Sequence, residues 1–293
     1  MILVAGATGL VGGTIARMVL DRERDVRVLV REGSDYRGLV DAGAKTALGD
    51  LKDPSSLASA CRGVDVVITT ASAGQRGGAD TPQTVDLEGN RHLIEAARAA
   101  NVRQFIFISA LTATVDHPVP LPRAKAETEE TLRSSGLTYT IVAANAIMDV
   151  MIPLVVGDRV RAGQPVTLVR DGQRRHSFVA ARDVAAFAVA AVRHPAALNR
   201  RIPVGGPNAH SWRDVVTTYE RVSGRSIPVR WIAPGELLPD LPPVPGLTEL
   251  VSGLLAALET FDSPVDMEEP SRTFGVAPTS LEAFVAEDLR RRV

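Results

Sequence analysis

Lysine is almost missing from this chain. Of 33 basic residues only Lys45, Lys52 and Lys125 are lysines, so a lysine at any given place asks for a reason. Cysteine is scarcer still. The lone Cys61 cannot form an internal disulfide, which excludes a disulfide-stapled fold and agrees with a reducing compartment. Five scattered histidines without Cys or His neighbours at ligand spacing offer no zinc pattern, and no metal is expected. Neither sign of charge dominates: a formal net charge of −1 gives no reason to expect a nucleic-acid or anionic-membrane partner. No apolar run reaches about 18 residues, and the first strand pattern starts at Ile2. A soluble, cytoplasmic protein without leader or membrane span is therefore the expectation.

What the chain does have is length and alternation. Its 293 residues, 45% of them hydrophobic, suffice for one large or two modest domains with a substantial core. Short β-branched runs appear at ILVAG (2–6), VRVLV (26–30), VDVVITT (64–70), QFIFIS (104–109) and YTIVA (139–143). Helix-patterned stretches separate them, including VGGTIARMVLDR (11–22), PSSLASACR (54–62) and LEGNRHLIEAARAA (87–100). Asp53 before Pro54 reads as an N-cap with proline at the first helical position, and Gly136 as the end of the helix carrying Lys125. Continuous apolar strands alternating with helices imply a parallel sheet covered on both faces, a doubly wound α/β Rossmann domain. Past residue 145 the rhythm loosens. RDVAAFAVAAV (182–192) reads as a helix and RIPVG (201–205) as a last strand. Then come a helix over 211–222, a short strand PVRWI (228–232), proline-rich PDLPPVPG (239–246), and two further helices. The last of these opens with the capping-box pattern TSLE (279–282). The division expected is a dinucleotide domain over 1–205 and a smaller, helix-rich substrate-side lobe over 206–293, to which 146–175 contributes.

GATGLVGG places Gly6, Gly9 and Gly12 between a strand and a helix. Small residues are required there: Gly6 for the tight turn, Gly9 for close approach of a pyrophosphate, Gly12 for packing of helix on strand. The phosphates would then face free N–H groups at the positive end of the helix. The alternative is a glycine-rich turn without a ligand. At the end of the second strand, where NAD sites carry an acidic ribose ligand, stands Arg31, with Ser34 and Arg37 close behind in VREGSDYR. A guanidinium suits a 2′-phosphate, so NADP(H) is expected rather than NAD(H). Otherwise Arg31 is a solvated strand end.

Together these residues resemble the atypical short-chain dehydrogenase/reductases, in particular the NmrA-like and isoflavone-reductase-like group. The resemblance spans about residues 1–205 and continues more loosely to the end. It rests on GATGLVGG, VREGS, GDLKDP (49–54), DLEGNRHLIEAARAANVRQFIFISA (86–110), KAETEETLRSSGLTYTIV (125–142) and FVAARDVA (178–185). The segment 104–185 also looks like the photosynthetic assembly factors of the same group. The resemblance implies that the backbone amides of Thr8, Leu10 and Val11 line the pyrophosphate. It places Asp50 and Leu51 beside the adenine, and Ala71 and Ser72 at the nicotinamide ribose. It further implies that Ser109 ends the fifth strand beside the reaction site and that Lys125 bonds the nicotinamide ribose.

The sequence departs from that pattern in two places. The family's proton-donating tyrosine, four residues before the lysine, is Leu121 here, between Pro120 and Pro122; the chain's tyrosines are Tyr36, Tyr139 and Tyr219. The sixth strand ends AANAIMD (143–149), a smaller and less polar wall than relatives carry, in which Asn145 can still bond the carboxamide. Lys125 and Ser109 remain as catalytic candidates, with His117 as a surrogate acid. The bland alternatives are a solvated lysine paired with Glu129 one turn on, a serine capping a turn, and an exposed loop histidine. Two functions follow. One is an NADPH-dependent reductase of a quinone-like or conjugated carbonyl molecule, chemistry for which water can supply the proton. The other is a catalytically silent NADP(H)-binding protein that signals to, or assembles with, a regulatory protein partner.

Overall fold

In the computed structural model, which describes residues 1–23, 25–74, 76–239 and 241–290, seven strands form one parallel sheet. Its elements begin β1 (Ile2–Ala5), α1 (Leu10–Leu20), β2 (Val26–Val30), α2 (Arg37–Asp41), β3 (Lys45–Leu48), α3 (Pro54–Cys61) and β4 (Val66–Thr69). They continue with α4 (Asn90–Ala99), β5 (Gln104–Ala110), α5 (Pro120–Ser134) and β6 (Tyr139–Ala144). A π-helical stretch, Pro82–Gly89, leads into α4. After α6 (Met148–Ile152), α7 (Asp158–Arg161), β7 (Val166–Val169) and α8 (Ala181–Ala190), the strand β8 (Arg200–Val204) completes the sheet. The strand order is β3-β2-β1-β4-β5-β6-β8, with every neighbouring pair parallel. This is the Rossmann order, and its reversal lies between β1 and β4, where ligands bind at the strands' carboxyl ends.

Both faces are covered, which is why the strands read as continuous apolar runs. Ile2 and Val4 of β1 face one layer, with Ile15 and Val19 of α1 and Val184 and Phe187 of α8. Leu3 and Ala5 face the other, with Leu57 of α3, Leu93 of α4 and Leu132 of α5. The local punctuation lies where the residues demand it. Asp53 accepts from the Ser55 N–H to cap α3, and Gly136 follows α5 at φ +80°. Pro120 and Pro122 sit in the first turn of α5, where a missing N–H leaves no intrahelical bond unmade.

The remaining elements are α9 (Trp212–Ser223), β9 (Val229–Ile232), α10 (Leu247–Leu258), α11 (Glu268–Phe274) and α12 (Leu281–Asp288). Two strands carry little sequence signal. β3 is a polar, largely exposed edge. β7 is a buried four-residue run, too short to tell from a helix segment by periodicity; it pairs with β9 in a second, two-stranded sheet. The later half thus contains strand pairing that its helix-rich pattern conceals, and among the described residues three helices rather than two follow the proline-rich stretch. Ser280, not Thr279, caps α12, because Thr279 donates instead to the buried Asp183 carboxylate. Residues from α6, α7 and β7 share one core with Trp212, Tyr219, Val251 and Phe284.

The C-terminal half also buries a destabilising charge. Glu259, just after α10, is 1% exposed, and among the described residues its carboxylate oxygens make no well-formed hydrogen bond, only a weak pull from the Gly172 N–H. Burial, then the charge of Asp171, push its pKa up to about 7, against the pull of Arg170 and Arg174. The folded chain therefore holds a proton that the unfolded chain releases above 4.5. The contribution of Glu259 to stability falls as pH rises from there to about 7 and stays low beyond. Glu259→Gln is expected to stabilise the protein by ~2–3 kcal/mol at about pH 8 and to flatten this slope. Urea titrations at acid and alkaline pH check it; an unchanged slope counts against the buried charge.

Candidate functional site

The three glycines of the first turn serve different ends. Gly6 has φ +80°, and a Cβ there would lie 2.7 Å from Thr70 Oγ1 and 2.9 Å from Ala71 N. A Cβ on Gly12 would come within 2.1 Å of the Gly6 carbonyl oxygen. Both are glycine because the fold needs them so. Gly9 is not: its φ of −87° suits any residue, and a Cβ would meet only Gly6 O, at 3.3 Å. The space in front of Gly9 is open, beside Thr8, Leu10 and Val11 at the start of α1, whose first-turn N–H groups have no intrahelical acceptor. This cradle, which a side chain would fill, fits a pyrophosphate.

Beside the turn lies a cavity of about 30 Å³. Its walls include Gly6, Thr8, Arg31, Ser34, Asp50 and Leu51, with Ala71 from the end of β4. Sequence positions from four separate loops thus meet at the carboxyl ends of β1, β2, β3 and β4. Arg37 stays apart, exposed in the first turn of α2. Arg31 is not solvated alone: its Nη1 donates to Asp80 Oδ2 at 2.8 Å. Lys52 Nζ donates to Asp80 Oδ1 at 2.5 Å, and Arg76 Nη1 lies 3.5 Å from Asp80 Oδ2. Burial alone would raise the Asp80 pKa, but the bonds from Lys52 and Arg31 outweigh it and hold the carboxyl below its usual range. Asp80 and Arg76 carry no motif and sequence reasoning passed over them. Lys52 was visible as one of three lysines, inside GDLKDP.

The second centre is at Lys125. Its side chain turns inward from α5, only 9% of the residue being exposed. Nζ donates to Ile108 O at 3.1 Å, lies 3.5 Å from Asp86 Oδ1 and stands 5.2 Å from the Phe107 ring centre. Glu129 is not its partner; that carboxylate receives Arg133 and Arg201. Asp86, from the DLEGN stretch, is fully buried. Its Oδ2 accepts from Ala73 N at 2.9 Å. Burial pushes its pKa up, with Lys125 and the Ala73 N–H pulling the other way. Ser109 is the penultimate residue of β5, its Oγ buried without a hydrogen-bond partner among the described residues. An ammonium held this way, with a donor hydroxyl unspent nearby, fits a ribose and its hydroxyls.

Two candidates are committed elsewhere. Asn145 Nδ2 donates to Ser263 O at 2.8 Å and lies 3.1 Å from Ser263 Oγ, while its Oδ1 accepts from Ala146 N. The amide expected to bond a carboxamide is held instead by the stretch between α10 and α11. His117 is buried rather than exposed; its Nδ1 accepts from Val119 N at 3.0 Å, just ahead of α5, and burial lowers its pKa. Leu121 stands one turn before Lys125. A side chain built on Gly74 would meet Leu121, Ser72 Oγ and Leu250 of α10 within 4 Å, so these groups converge on one apolar spot. A wider depression, about 690 Å³, lies elsewhere, against α11 between Pro207 and Pro278, and includes none of these residues. Among the described residues no helix is long and apolar enough to cross a membrane.

Residues 6–195 match the model of a family described as NAD(P)H-binding. The chain is 32% identical to an NAD(P)H azoreductase from Xenophilus azovorans, over 80% of this chain and 77% of that one. It is 34% identical to a photosystem II assembly factor from Cyanophora paradoxa, over 78% and 70%. An NADPH-dependent quinone oxidoreductase from Escherichia coli, solved with NADPH, has the same fold: TM-score 0.84 at 20% identity, over 99% of this chain and all of that one. With the glycine turn, the switch-point crevice and the buried lysine in place, the chain belongs to the NAD(P)H-binding family of NmrA-like, atypical short-chain dehydrogenase/reductases.

Proposed function

We propose that the protein is an NADPH-dependent reductase of a small conjugated electrophile, quinone-like or a conjugated carbonyl, working without the family's tyrosine. The observation that carries this reading is Lys125. An idle helix lysine in a chain that prefers arginine has no cause to bury its ammonium beside Asp86, because desolvating such a pair costs several kcal/mol per ion. Lys125 and Ser109 would hold the nicotinamide ribose, Gly9 and the α1 amides the pyrophosphate, and Arg31 and Ser34 the 2′-phosphate. Asp50 and Leu51 would border the adenine, and Ala71 and Ser72 the nicotinamide ribose. Bound NADPH supplies a hydride. Leu121, Ser72 and Leu250 make the neighbouring surface mostly apolar, which suits a flat, conjugated molecule. With Leu121 unable to donate, the proton has to come from water, as quinones and enones allow; a positioned donor is worth about 10²–10⁴ in rate, so turnover should be slow. The likeness to a protein named as an azoreductase supports a reductase of conjugated compounds.

A second reading is a silent NADP(H)-binding assembly or regulatory protein. Leu121 and the likeness to an assembly factor favour it. NADPH oxidation against a panel of quinones and simple ketones separates the two. Binding without turnover on any of them leaves the second. The cofactor is tested separately. NADPH should bind at least about tenfold tighter than NADH by calorimetry, roughly 1.4 kcal/mol, and Arg31→Asp should erase or reverse that preference. Equal affinities in the unmodified protein would sink the 2′-phosphate assignment.

A further inference from the structure

Asp80 gathers three cations that come from unrelated parts of the chain. Arg31 follows β2, Lys52 precedes α3, and Arg76 stands one turn of loop before Asp80 itself. Only 9% of Asp80 is exposed. The nearest further carboxylate, Asp50, lies 3.9 Å from Lys52. Two carboxylates, Asp80 and the more distant Asp50, therefore face three positive groups and leave them under-neutralised. The cavity that Arg76 and Asp80 help to wall, about 30 Å³, has room for roughly one water. A bound adenosine would need far more, since ligand pockets run to about 300–1,000 Å³. Arg76 and Asp80 thus line the space beside the turn, and an adenosine placed there would have to move them. The turn between them is built to be distinct from its flanks: Gly77 and Gly78 both have positive φ, and Gly77 sits against the Pro245 carbonyl of the C-terminal lobe.

We infer that Asp80 is an internal competitor for the cofactor's 2′-phosphate, and that Lys52 and Arg76 join Arg31 as its ligands. This rests on the NADP(H) reading above and extends it to two residues and a selectivity device. A phosphate monoester brings about −1.5 to −2 charge and three acceptor oxygens, against the −1 and two oxygens of Asp80. It takes over all three cations and releases the carboxylate to solvent. A 2′-hydroxyl brings no charge, so NADH has nothing to exchange for the broken ion pairs. Displacing Asp80 therefore taxes both dinucleotides, and only the phosphorylated one recovers the loss.

Calorimetry on the full chain tests this, with NADPH, NADH, adenosine 2′,5′-bisphosphate and adenosine 5′-monophosphate as probes. Asp80→Asn should bind all four probes more tightly, NADPH and the bisphosphate by roughly tenfold, because each of them has to displace the carboxylate. Lys52→Met and Arg76→Met should each weaken NADPH and the bisphosphate by roughly tenfold and spare the other two. Both positions are partly exposed, so these arms decide alone should Asp80→Asn fail to fold. NADPH binding that is unchanged or weaker in Asp80→Asn overturns the competitor. Loss of NADH binding in that variant also overturns it, making Asp80 a ribose ligand. If the unmodified protein prefers NADPH and only the Asp80 effect is missing, the competitor alone falls. If it shows no preference, the NADP(H) reading itself has failed.

Discussion

Lys125→Met is expected to lower turnover of a quinone by roughly 10²-fold, the scale of losing one preorganised donor at a reaction site, and to weaken NADPH binding by about tenfold, as for a lost charged hydrogen bond. Both effects arise because the same ammonium would position the ribose and set the local field. The variant must also lose stability. Asp86 is fully buried, and with Lys125 gone its Oδ1 has no counter-charge; breaking one half of a buried pair costs about 3–5 kcal/mol. The sign of the pH dependence follows. Burial already raises the Asp86 pKa above 3.8, and removing the ammonium raises it further. The variant's stability should therefore fall as pH rises through that range and recover in acid, where Asp86 is protonated. Adding Asp86→Asn should restore stability at neutral pH without restoring turnover. Steady-state kinetics, calorimetry and urea titration on the single and double variants give the answer. Stability lost alone, with turnover and cofactor affinity intact, would make Lys125 a structural counter-ion and strengthen the silent-binder reading.

Gly9→Val is expected to reduce NADPH affinity by at least about 100-fold, or 2.7 kcal/mol, while leaving the fold standing. The backbone at Gly9 is extended at its N-cap, and the only atom near a new Cβ is Gly6 O at 3.3 Å. A branched side chain there projects into the space that a pyrophosphate must enter. Gly12→Ala is the contrast. Its methyl would lie 2.1 Å from Gly6 O and 2.6 Å from Thr70 Oγ1, so α1 must lift from the turn and the protein should lose stability whatever the ligand. Thermal melts and calorimetry on both variants separate the effects. A folded Gly9→Val that binds NADPH normally would remove the pyrophosphate from the start of α1.

What could be read from the chain alone was what local rules govern. Strand periodicity, the Asp53–Pro54 cap, the prolines opening α5 and the glycine turn each depend on residues within a few positions of one another. They suffice for a doubly wound sheet and for where its crevice must lie. The short strands β3 and β7 escaped because one is polar and the other too brief to show a period. The polar partnerships escaped for a different reason: they join distant segments. Asp80 meets Arg31 and Lys52 across 49 and 28 residues. Asn145 is claimed by Ser263 across 118, which took it from the role its place at the end of β6 suggested. Lys125 could be singled out by composition, yet nothing near it in sequence said whether it faced water or Asp86. Only packing α5 against β5 and the stretch before α4 turned it inward, because side-chain charge is paired by whatever the folded chain brings within reach.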